Sequence, residues 1–281
     1  MPAAKFPLLP RNENYDKSRY GHALIVAGSR QMTGAARLVS EAALRSGSGL
    51  VTLASPKSVI RALRLPPEVM TLPLAESLSG CAHASALPAI KAYVKRRRVN
   101  VLALGPGLST DPQAVLLVQK LVAGSRIPVV LDADGLNAFR DHTDMLRKAK
   151  TPLVVTPHER EFKRLFNVSS PARLAVRTAL AKKLSKFYDV VLVLKGHRTV
   201  VAGAGKVYEN RTGNAGMAKG GSGDVLTGII AAFIAQGLAP FEAARWAVYF
   251  HGRAGDMALR KTGQLGLTAS DLIAHLPKAF K

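Results

Sequence analysis

The chain has 281 residues, of which 48% are hydrophobic and only 6% aromatic, so it can form a large aliphatic core. Its single cysteine, Cys81, excludes an internal disulfide, and no stretch reaches the ~18 uninterrupted apolar residues of a membrane-spanning helix. The 40 lysines and arginines outnumber the 18 acidic residues, and the net charge of +22 favours anionic partners, either nucleic acid or phosphorylated small molecules.

Residues 1–16 lack the apolar core of a secretion signal and are interpreted as an N-terminal arm. We therefore expect a soluble cytoplasmic protein with no membrane partner. The one dense basic run, "KRRR" at 95–98, follows a helical pattern, and cations in the last turn of a helix complement its dipole. This run predicts a solvated helix end, so we expect no nucleic-acid partner.

Short apolar runs rich in β-branched residues recur along the chain and predict strands. Most are continuously apolar rather than alternating, which is typical of strands buried on both faces of a parallel sheet. The last two are closely spaced and predict an antiparallel pair near one sheet edge. The predicted strands are 22–28, 50–55, 99–105, 128–133, 152–156, 190–196 and 199–203.

Helical patterns lie between and after these strands. The βαβ order predicts an α/β fold with a mainly parallel sheet, and we see no internal repeat or long linker, which favours a single domain over residues 1–281. The predicted helices are 34–47, 85–98, 112–123, 159–166, 171–187, 222–237, 240–260 and 269–279.

Ligands of open α/β sheets bind beyond the carboxyl ends of the strands. After the third predicted strand, "GPGLS" is either a tight turn or a site where the backbone of Gly105 and Gly107 approaches a ligand. In "KGHRT" at 195–199, Lys195 either reaches a phosphate as a point charge or is a solvated lysine in a hairpin loop. Each segment alone is a weak indication, but together they favour a binding site at this edge.

Acidic residues and a histidine follow two further strands. Asp134 is interpreted as the cap of a short helix, whereas Asp132 has either a structural role or a contact to a metal ion through water. In "TPHEREF", Glu159 and Glu161 fall in the first turn of a helix, where negative charge is stabilising. His158 then lies at the helix entry, with either a structural or a ligand-binding role.

The segment "GGSGD" at 220–224 precedes an apolar helical pattern, in which Gly228 permits close packing. A helix start exposes unpaired N–H groups, and glycines allow several of them to converge on one phosphate. Asp224 in the first turn is placed to take a proton from a hydroxyl while these amides stabilise a transferring phosphoryl group. The alternative, that Asp224 only complements the helix dipole, does not explain the loss of side chains before it.

The stretch "TGNAGMAKGGSGDVLTGIIAAFIAQG" resembles the signature of the NAD(P)H-hydrate dehydratases of the ribokinase-like superfamily. The blocks "LGPGLS", "LDADGLNAF", "TPHEREF" and "VLKGHRTVV" are similar to the family in the same order, and the resemblance covers residues 17–275. It implies a three-layer ribokinase-like fold with helices on both faces of the sheet. It also implies a lyase that uses ADP or ATP, with Mg²⁺, to phosphorylate the hydroxyl of NADH or NADPH hydrated at C6. Elimination of phosphate then restores the cofactor.

The same resemblance assigns roles by position. Asp224 would be the base, with Gly221 and Gly223 beside it. The anion hole would be Gly220, Gly221, Ser222 and Gly223. The S-epimer of the hydrated dinucleotide would contact Ala35, Gly107, His158 and Asp224. The AMP part of the nucleotide would contact Lys195, Gly196, His197, Arg198, Thr199 and Gly223. No metal ligand is implied beyond the option left open for Asp132.

Two positions depart from the common family pattern "GNPGMATGGTGD". Ala215 replaces the proline, and Lys219 replaces the threonine, which suggests that Lys219 strengthens phosphate binding. The resemblance also implies a tetramer, and the chain begins too late for the epimerase domain of many relatives, so we expect a separate epimerase. A kinase of the same superfamily acting on a vitamin precursor is the nearest alternative.

Overall fold

The computed structural model describes Phe6 and residues 11–281. Most of the predicted N-terminal arm lies outside these residues. Within the described residues, nine strands form one sheet in the order β3-β2-β1-β4-β5-β6-β7-β8-β9. The strands are β1 His22–Val26, β2 Leu50–Pro56, β3 Met70–Leu74, β4 Val101–Leu104, β5 Val129–Leu131, β6 Leu153–Val155, β7 Val190–Leu194, β8 Val200–Gly203 and β9 Lys206–Glu209.

Eleven α-helices are found in the described residues. They are α1 Thr33–Arg45, α2 Lys57–Ala62, α3 Leu87–Arg96, α4 Pro112–Gly124, α5 Asp134–Asn137, α6 Asp144–Arg147, α7 Glu159–Phe166, α8 Leu174–Tyr188, α9 Ser222–Ala235, α10 Pro240–Gly266 and α11 Ala269–Ala279. None of the helices in the described part of the chain is both long and apolar enough to cross a membrane.

Two buried apolar clusters lie on opposite faces of the sheet. On β1, Ala23 and Ile25 belong to the cluster formed with α1, α9, α10 and α11. Leu24 and Val26 alternate with them and belong to the cluster formed with α3, α4, α7 and α8. Successive side chains of a strand point to opposite faces, so continuously apolar strands produce two cores. The predicted three-layer fold with helices on both faces is therefore confirmed.

The sheet is parallel from β3 to β7 and antiparallel only where β7, β8 and β9 pair. This confirms the predicted antiparallel pair near one edge. The run 95–98 lies at the exposed end of α3, as predicted for a solvated helix end. Gly228 lies against α1, where an added Cβ would come within 2.4 Å of the Val39 carbonyl oxygen, so its expected role in close packing is also confirmed.

Several element boundaries differ from the predictions. The first strand ends at Val26 because Gly28, with φ of 86°, turns the chain. β3 was not among the predicted strands; it lies at the sheet edge, where a strand tolerates a proline such as Pro73. α10 extends to Gly266 rather than residue 260 and is interrupted at Gly263, where φ is 67°.

Candidate active site

The start of α9 is left without a side-chain cap. Its N-cap residue is Gly221, whose φ of 88° lies in the left-handed region, and no side chain accepts a hydrogen bond from the first turn. An alanine here would place its Cβ 2.6 Å from Leu38 Cδ1 on α1, so only glycine fits. The Ser222 amide donates a long hydrogen bond to the Lys219 carbonyl at 3.4 Å, and the amides of Gly223 and Asp224 remain available at the positive end of the helix dipole.

Gly223 leaves space between the helix start and two charged groups. A Cβ at this residue would lie 3.1 Å from Lys195 Nζ and 3.5 Å from Asp132 Oδ2. The free amides and the Lys195 ammonium thus face the same small volume. This arrangement suits a phosphoryl group, because both features stabilise negative charge.

Asp224, the third residue of α9, is largely buried beside this volume. Burial raises the pKa of Asp224 to about 7, and the Asp132 carboxylate adds to this effect, while Lys195 opposes it. Among the described residues we find no hydrogen bond to the Asp224 carboxylate. A base whose pKa lies near neutrality combines an adequate ionised fraction with useful proton affinity.

Asp132 is the centre of a buried polar network at the end of β5. Its Oδ1 accepts hydrogen bonds from Lys195 Nζ at 2.7 Å and Thr156 Oγ1 at 2.8 Å, and its Oδ2 accepts one from Thr227 Oγ1 at 2.7 Å. Burial alone would raise the pKa of Asp132, but Lys195 and the two threonines outweigh it and lower the pKa. The sequence did not point to Thr156 or Thr227, although a threonine in the apolar run of α9 is a usable signal.

These contacts bear on the metal role left open for Asp132. Both of its oxygens already accept hydrogen bonds, one of them from a cationic lysine. Within residues 11–281 and at Phe6, no group of three or more His, Cys, Asp or Glu side chains could hold a metal ion. The residues present therefore do not form a resident magnesium centre, in keeping with the tendency of Mg²⁺ to bind mainly through phosphates and water.

His158 caps α7. Its Nδ1 accepts hydrogen bonds from the amides of Arg160 at 3.1 Å and Glu161 at 3.2 Å, and Glu161 Oε2 accepts one from the His158 amide at 2.8 Å. This is a complete capping box, with histidine in the place usually taken by serine or threonine. The ring is 47% exposed, which leaves it accessible from the strand-end edge.

Glu161 was assigned only to the helix dipole, but it also contributes to the site. It is buried, and its Oε2 lies 3.8 Å from Lys195 Nζ. Burial lowers the pKa of Lys195, but the carboxylates of Asp132 and Glu161 outweigh burial and raise it. Lys195 is thus a half-buried cation, with a side chain 17% exposed and held by two carboxylates, and the alternative of a solvated lysine is wrong.

The β7–β8 turn, residues 195–199, is closed by its own polar groups and by α8. Thr199 Oγ1 donates to the Gly196 carbonyl at 2.9 Å. Arg177, which the sequence did not indicate, donates from Nη2 to the carbonyls of His197 and Arg198. The His197 side chain is exposed, so the described contacts bring Lys195 but not His197 to the anion site.

Ala35 and Gly107 are brought together. Gly107 has a φ of 64°, and a Cβ there would lie 3.0 Å from Ala35 Cβ. Leu38, one turn after Ala35 on α1, lies against Gly221, so α1 connects this pair to the anion site. At Gly105, with φ of 129°, a Cβ would lie 1.8 Å from the Asp132 carbonyl oxygen. Close contact with protein backbone is therefore sufficient to explain glycine at that position.

Asp134 does not cap the short helix α5 as predicted. It is the first residue of that helix, and its side chain makes no capping bond to it. Instead its Oδ2 accepts a hydrogen bond from the Ser109 amide at 2.8 Å. Asp134 therefore fixes the end of the "GPGLS" loop, and its Oδ1 accepts a second hydrogen bond from Asn137 Nδ2 at 3.0 Å.

Ala215 and Lys219, the two positions that depart from the family pattern, lie in the loop before α9, which is hydrogen-bonded to α10. The Lys219 ammonium donates to the Leu265 carbonyl at the end of α10. Asp256 accepts hydrogen bonds from the Gly213 amide at 2.9 Å and from Asn214 Nδ2 at 3.0 Å. Both contacts fix the loop before α9 to α10, and Ala215 lies between them.

His251 is a further residue that the sequence did not indicate. Its Nε2 lies 3.3 Å from Ser222 Oγ at the start of α9. Burial lowers the pKa of His251 to about 4, so the ring is neutral at physiological pH. The neutral ring therefore hydrogen-bonds the Ser222 hydroxyl without adding a second cation to the anion site.

A three-layer α/β fold with an open helix start and an aspartate in its first turn places the chain among ribokinase-like proteins. A ribokinase-like superfamily protein from Enterococcus faecalis superimposes with a TM-score of 0.80 at 27% identity, over 97% of this chain and 91% of the other.

The sequence profile of the family described as NAD(P)H-hydrate dehydratase matches residues 23–278. The ADP/ATP-dependent NAD(P)H-hydrate dehydratase from Bacillus subtilis, co-crystallised with ATP/Mg²⁺, is 30% identical, with a TM-score of 0.78 over 98% of this chain and 95% of the other. The chain belongs to the NAD(P)H-hydrate dehydratase family, which confirms the resemblance inferred from its sequence.

One relative is a longer protein. A bifunctional NAD(P)H-hydrate repair enzyme from Moorella thermoacetica is 45% identical over 276 residues, which cover 97% of this chain but 52% of the relative. The chain spans about half the length of the curated relatives that it matches first.

Proposed function

We propose that this protein dehydrates the S-epimer of C6-hydrated NADH or NADPH back to the intact cofactor, with ADP or ATP as co-substrate. Family membership supports this reaction. The observation that carries the proposal is Asp224, a buried carboxylate with a pKa of about 7, beside the uncapped amides of α9.

The proposed chemistry divides between these two features. The Asp224 carboxylate accepts the proton of the C6 hydroxyl, whose oxygen then bonds to the terminal phosphorus of the nucleotide. The amides of Gly220–Gly223 and the Lys195 ammonium stabilise the charge on that phosphoryl group. The bond between the terminal phosphorus and the rest of the nucleotide breaks in this step, so its products are AMP or ADP and the phosphorylated hydrate. Loss of phosphate from C6 and of a proton from C5 then forms the C5–C6 double bond and restores the cofactor.

The remaining predicted residues supply binding. Ala35 and Gly107 lie together at the start of α1 and would form one side of the site for the hydrated dinucleotide, and His158 reaches the same edge from α7. The β7–β8 turn, residues 195–199, together with Gly223, would receive the AMP part of the nucleotide. Mg²⁺ would arrive on the nucleotide phosphates and neutralise part of their charge, as the B. subtilis co-crystal with ATP/Mg²⁺ suggests.

The cellular setting belongs to the same proposal. We infer a single functional domain over residues 1–281 from the continuous βαβ order, a cytoplasmic location from the composition, and a tetrameric assembly from the family resemblance. The bifunctional relatives support a functional link to an NAD(P)H-hydrate epimerase activity that supplies the S-epimer. Sedimentation velocity tests the assembly, for which we expect a mass of four chains.

The direct test is recovery of NADH from hydrated NADH, followed by absorbance, with ADP and ATP in turn. We expect nucleotide-dependent recovery with the wild type and a loss of about 10²–10⁴-fold with Asp224→Asn, because a general base contributes that much. Nucleotide binding should be retained by the variant. Full activity of Asp224→Asn would remove Asp224 from its role.

A kinase acting on a vitamin-precursor alcohol is the alternative, because it would use the same open helix start and aspartate. The same preparation separates the two functions. Absence of NADH recovery, together with phosphorylation of a vitamin-precursor alcohol, would favour the kinase.

A further inference from the structure

The β7–β8 turn contains a residue with an unfavourable backbone conformation, Arg198. Gly196 has a φ of 147°, and Arg198, which is not a glycine, has a φ of 54°. A non-glycine residue in the left-handed region costs free energy and persists only when its surroundings hold it there. Neighbouring groups must therefore hold Arg198 in this conformation.

Arg177 on α8 supplies those contacts. Its Nη2 donates to the carbonyl of His197 at 2.8 Å and also to the carbonyl of Arg198, the two carbonyls that flank the strained backbone angle. Its Nη1 lies 3.7 Å from the position that a Cβ of Gly196 would take. The guanidinium is half-buried and spans the turn from Gly196 to Arg198.

A second contact from α8 secures the same turn. Thr178 Oγ1 donates to Glu209 Oε1 at 2.9 Å, and Glu209 Oε2 lies 3.5 Å from Arg198 Nη2. The side chain of Arg198 is therefore held from β9, while its backbone is held by Arg177. Of these contacts, those of Arg177 act directly on the carbonyls and so set the direction of the peptide groups in the turn.

We propose that Arg177 is a positioning residue for the nucleotide, which keeps the turn from Gly196 to Thr199 in the conformation that receives the AMP part. This rests on the proposed function, because it takes the turn as the nucleotide site. Arg177 contacts no reacting atom, so its loss should weaken nucleotide binding and leave the chemical step at saturation nearly unchanged. The affinity for the hydrated dinucleotide should also stay the same.

The test measures binding of ADP and ATP by calorimetry to the wild type, Arg177→Ala and Lys183→Ala. Lys183 is exposed on the same helix, so its variant matches the loss of charge and the change in helix propensity. We expect about a 10-fold or greater rise in nucleotide Kd for Arg177→Ala, because hydrogen bonds from a charged group contribute ~1.5–3 kcal/mol. Lys183→Ala should bind like the wild type.

A chemical rescue separates positioning from general damage. Millimolar guanidinium should restore part of the nucleotide affinity of Arg177→Ala, whereas the same concentration of sodium should not. Unchanged Kd in Arg177→Ala, or an equal rise in Lys183→Ala, would overturn the proposal. If Arg177→Ala does not fold, Arg177→Gln carries the same test.

Nucleotide binding is measured without turnover, so this outcome is independent of the assay for the proposed function. A wild type that binds ADP or ATP but restores no NADH would contradict the proposed reaction and leave the role of Arg177 open to the same measurement. In an active enzyme, the nucleotide KM of Arg177→Ala should rise while kcat stays within about twofold.

Discussion

α7 and α9 both begin at the carboxyl edge of the sheet, and both carry a carboxylate at the third helical position. In α7, Glu161 and His158 form a reciprocal capping box that satisfies the helix start from within. In α9, the cap is Gly221 and the carboxylate is Asp224, for which we find no hydrogen-bond donor among the described residues. The same position thus stabilises structure in one helix and is left free for chemistry in the other.

Lys195 connects these two helix starts. Its ammonium lies 2.7 Å from Asp132 Oδ1 and 3.8 Å from Glu161 Oε2, and its charge also acts on Asp224. The closed start of α7 therefore helps to fix a cation that faces the open start of α9. The site thus combines one helix start that is capped with one that is left uncapped.

The largest expected effect comes from filling the open start. Gly223→Ala places a methyl group 3.1 Å from Lys195 Nζ, in the volume assigned to the phosphoryl group. We expect NADH recovery to fall by about 10²–10³-fold, the range for loss of one oxyanion donor. Gly124→Ala is the control, because its Cβ would lie 3.1 Å from the exposed Lys91 Nζ, away from the site. Equal activity in the two variants would contradict the comparison.

The next effect concerns stability. The pKa of Asp224 is raised from 3.8 to about 7, so ionising it costs free energy only in the folded protein. Folding stability therefore falls as pH rises from about 4 to 7, and Asp224→Asn removes this loss. We expect the variant to be more stable at pH 8 by at most about 4 kcal/mol and unchanged near pH 4, since one pKa unit corresponds to ~1.4 kcal/mol.

Asp271 provides the matched control for that measurement. It holds the third position of α11 in a capping box with Thr268, and hydrogen bonds from Thr268 lower its pKa. Its ionised form is therefore favoured by folding, and Asp271→Asn should destabilise the protein at pH 8. Denaturant unfolding of both variants checks the opposite signs, and the same sign for both would contradict the account.

The smallest expected effect comes from removing the cap of α7. His158→Ala removes the cap of α7 and should cost about 0.5–2 kcal/mol, whereas His158→Asn should restore most of it because asparagine is a good N-cap. Thermal unfolding measures both. If His158→Asn is stable but has a raised KM for the hydrated dinucleotide, His158 contacts the substrate in addition to capping α7. If His158→Ala is as stable as the wild type, the capping role is wrong.

The sequence predicts those parts of the fold that depend on local pattern. Continuous apolar runs indicate the central parallel strands, and the glycines before an apolar helix indicate the open start of α9. β3 was not among the predicted strands, and only its edge position in the sheet makes Pro73 tolerable there. Likewise α6 has only four residues, too few for a helical period to appear.

The sequence predicts which strand ends form the site, but it does not predict which side chains contact each other there. Asp132 is 63 residues from Lys195 and 95 from Thr227, and one sequence holds no information on which of these side chains meet. The same limit explains why the sequence left Lys195 open between reaching a phosphate and lying solvated in a hairpin loop, and did not indicate its ion pair with Asp132. It also explains why Arg177 and His251, each in a helix that was predicted, gave no functional signal.

The Asp224 carboxyl group, at an uncapped helix start, has a pKa near 7, and its proposed role as the base depends on this value. The most direct measurement is a ¹³C NMR titration of its carboxyl carbon, assigned as the resonance missing from Asp224→Asn. The account predicts a midpoint near pH 7 in the ligand-free protein, together with NADH recovery that increases with pH through that range. A midpoint near pH 4, the ordinary value for an aspartate, would contradict it.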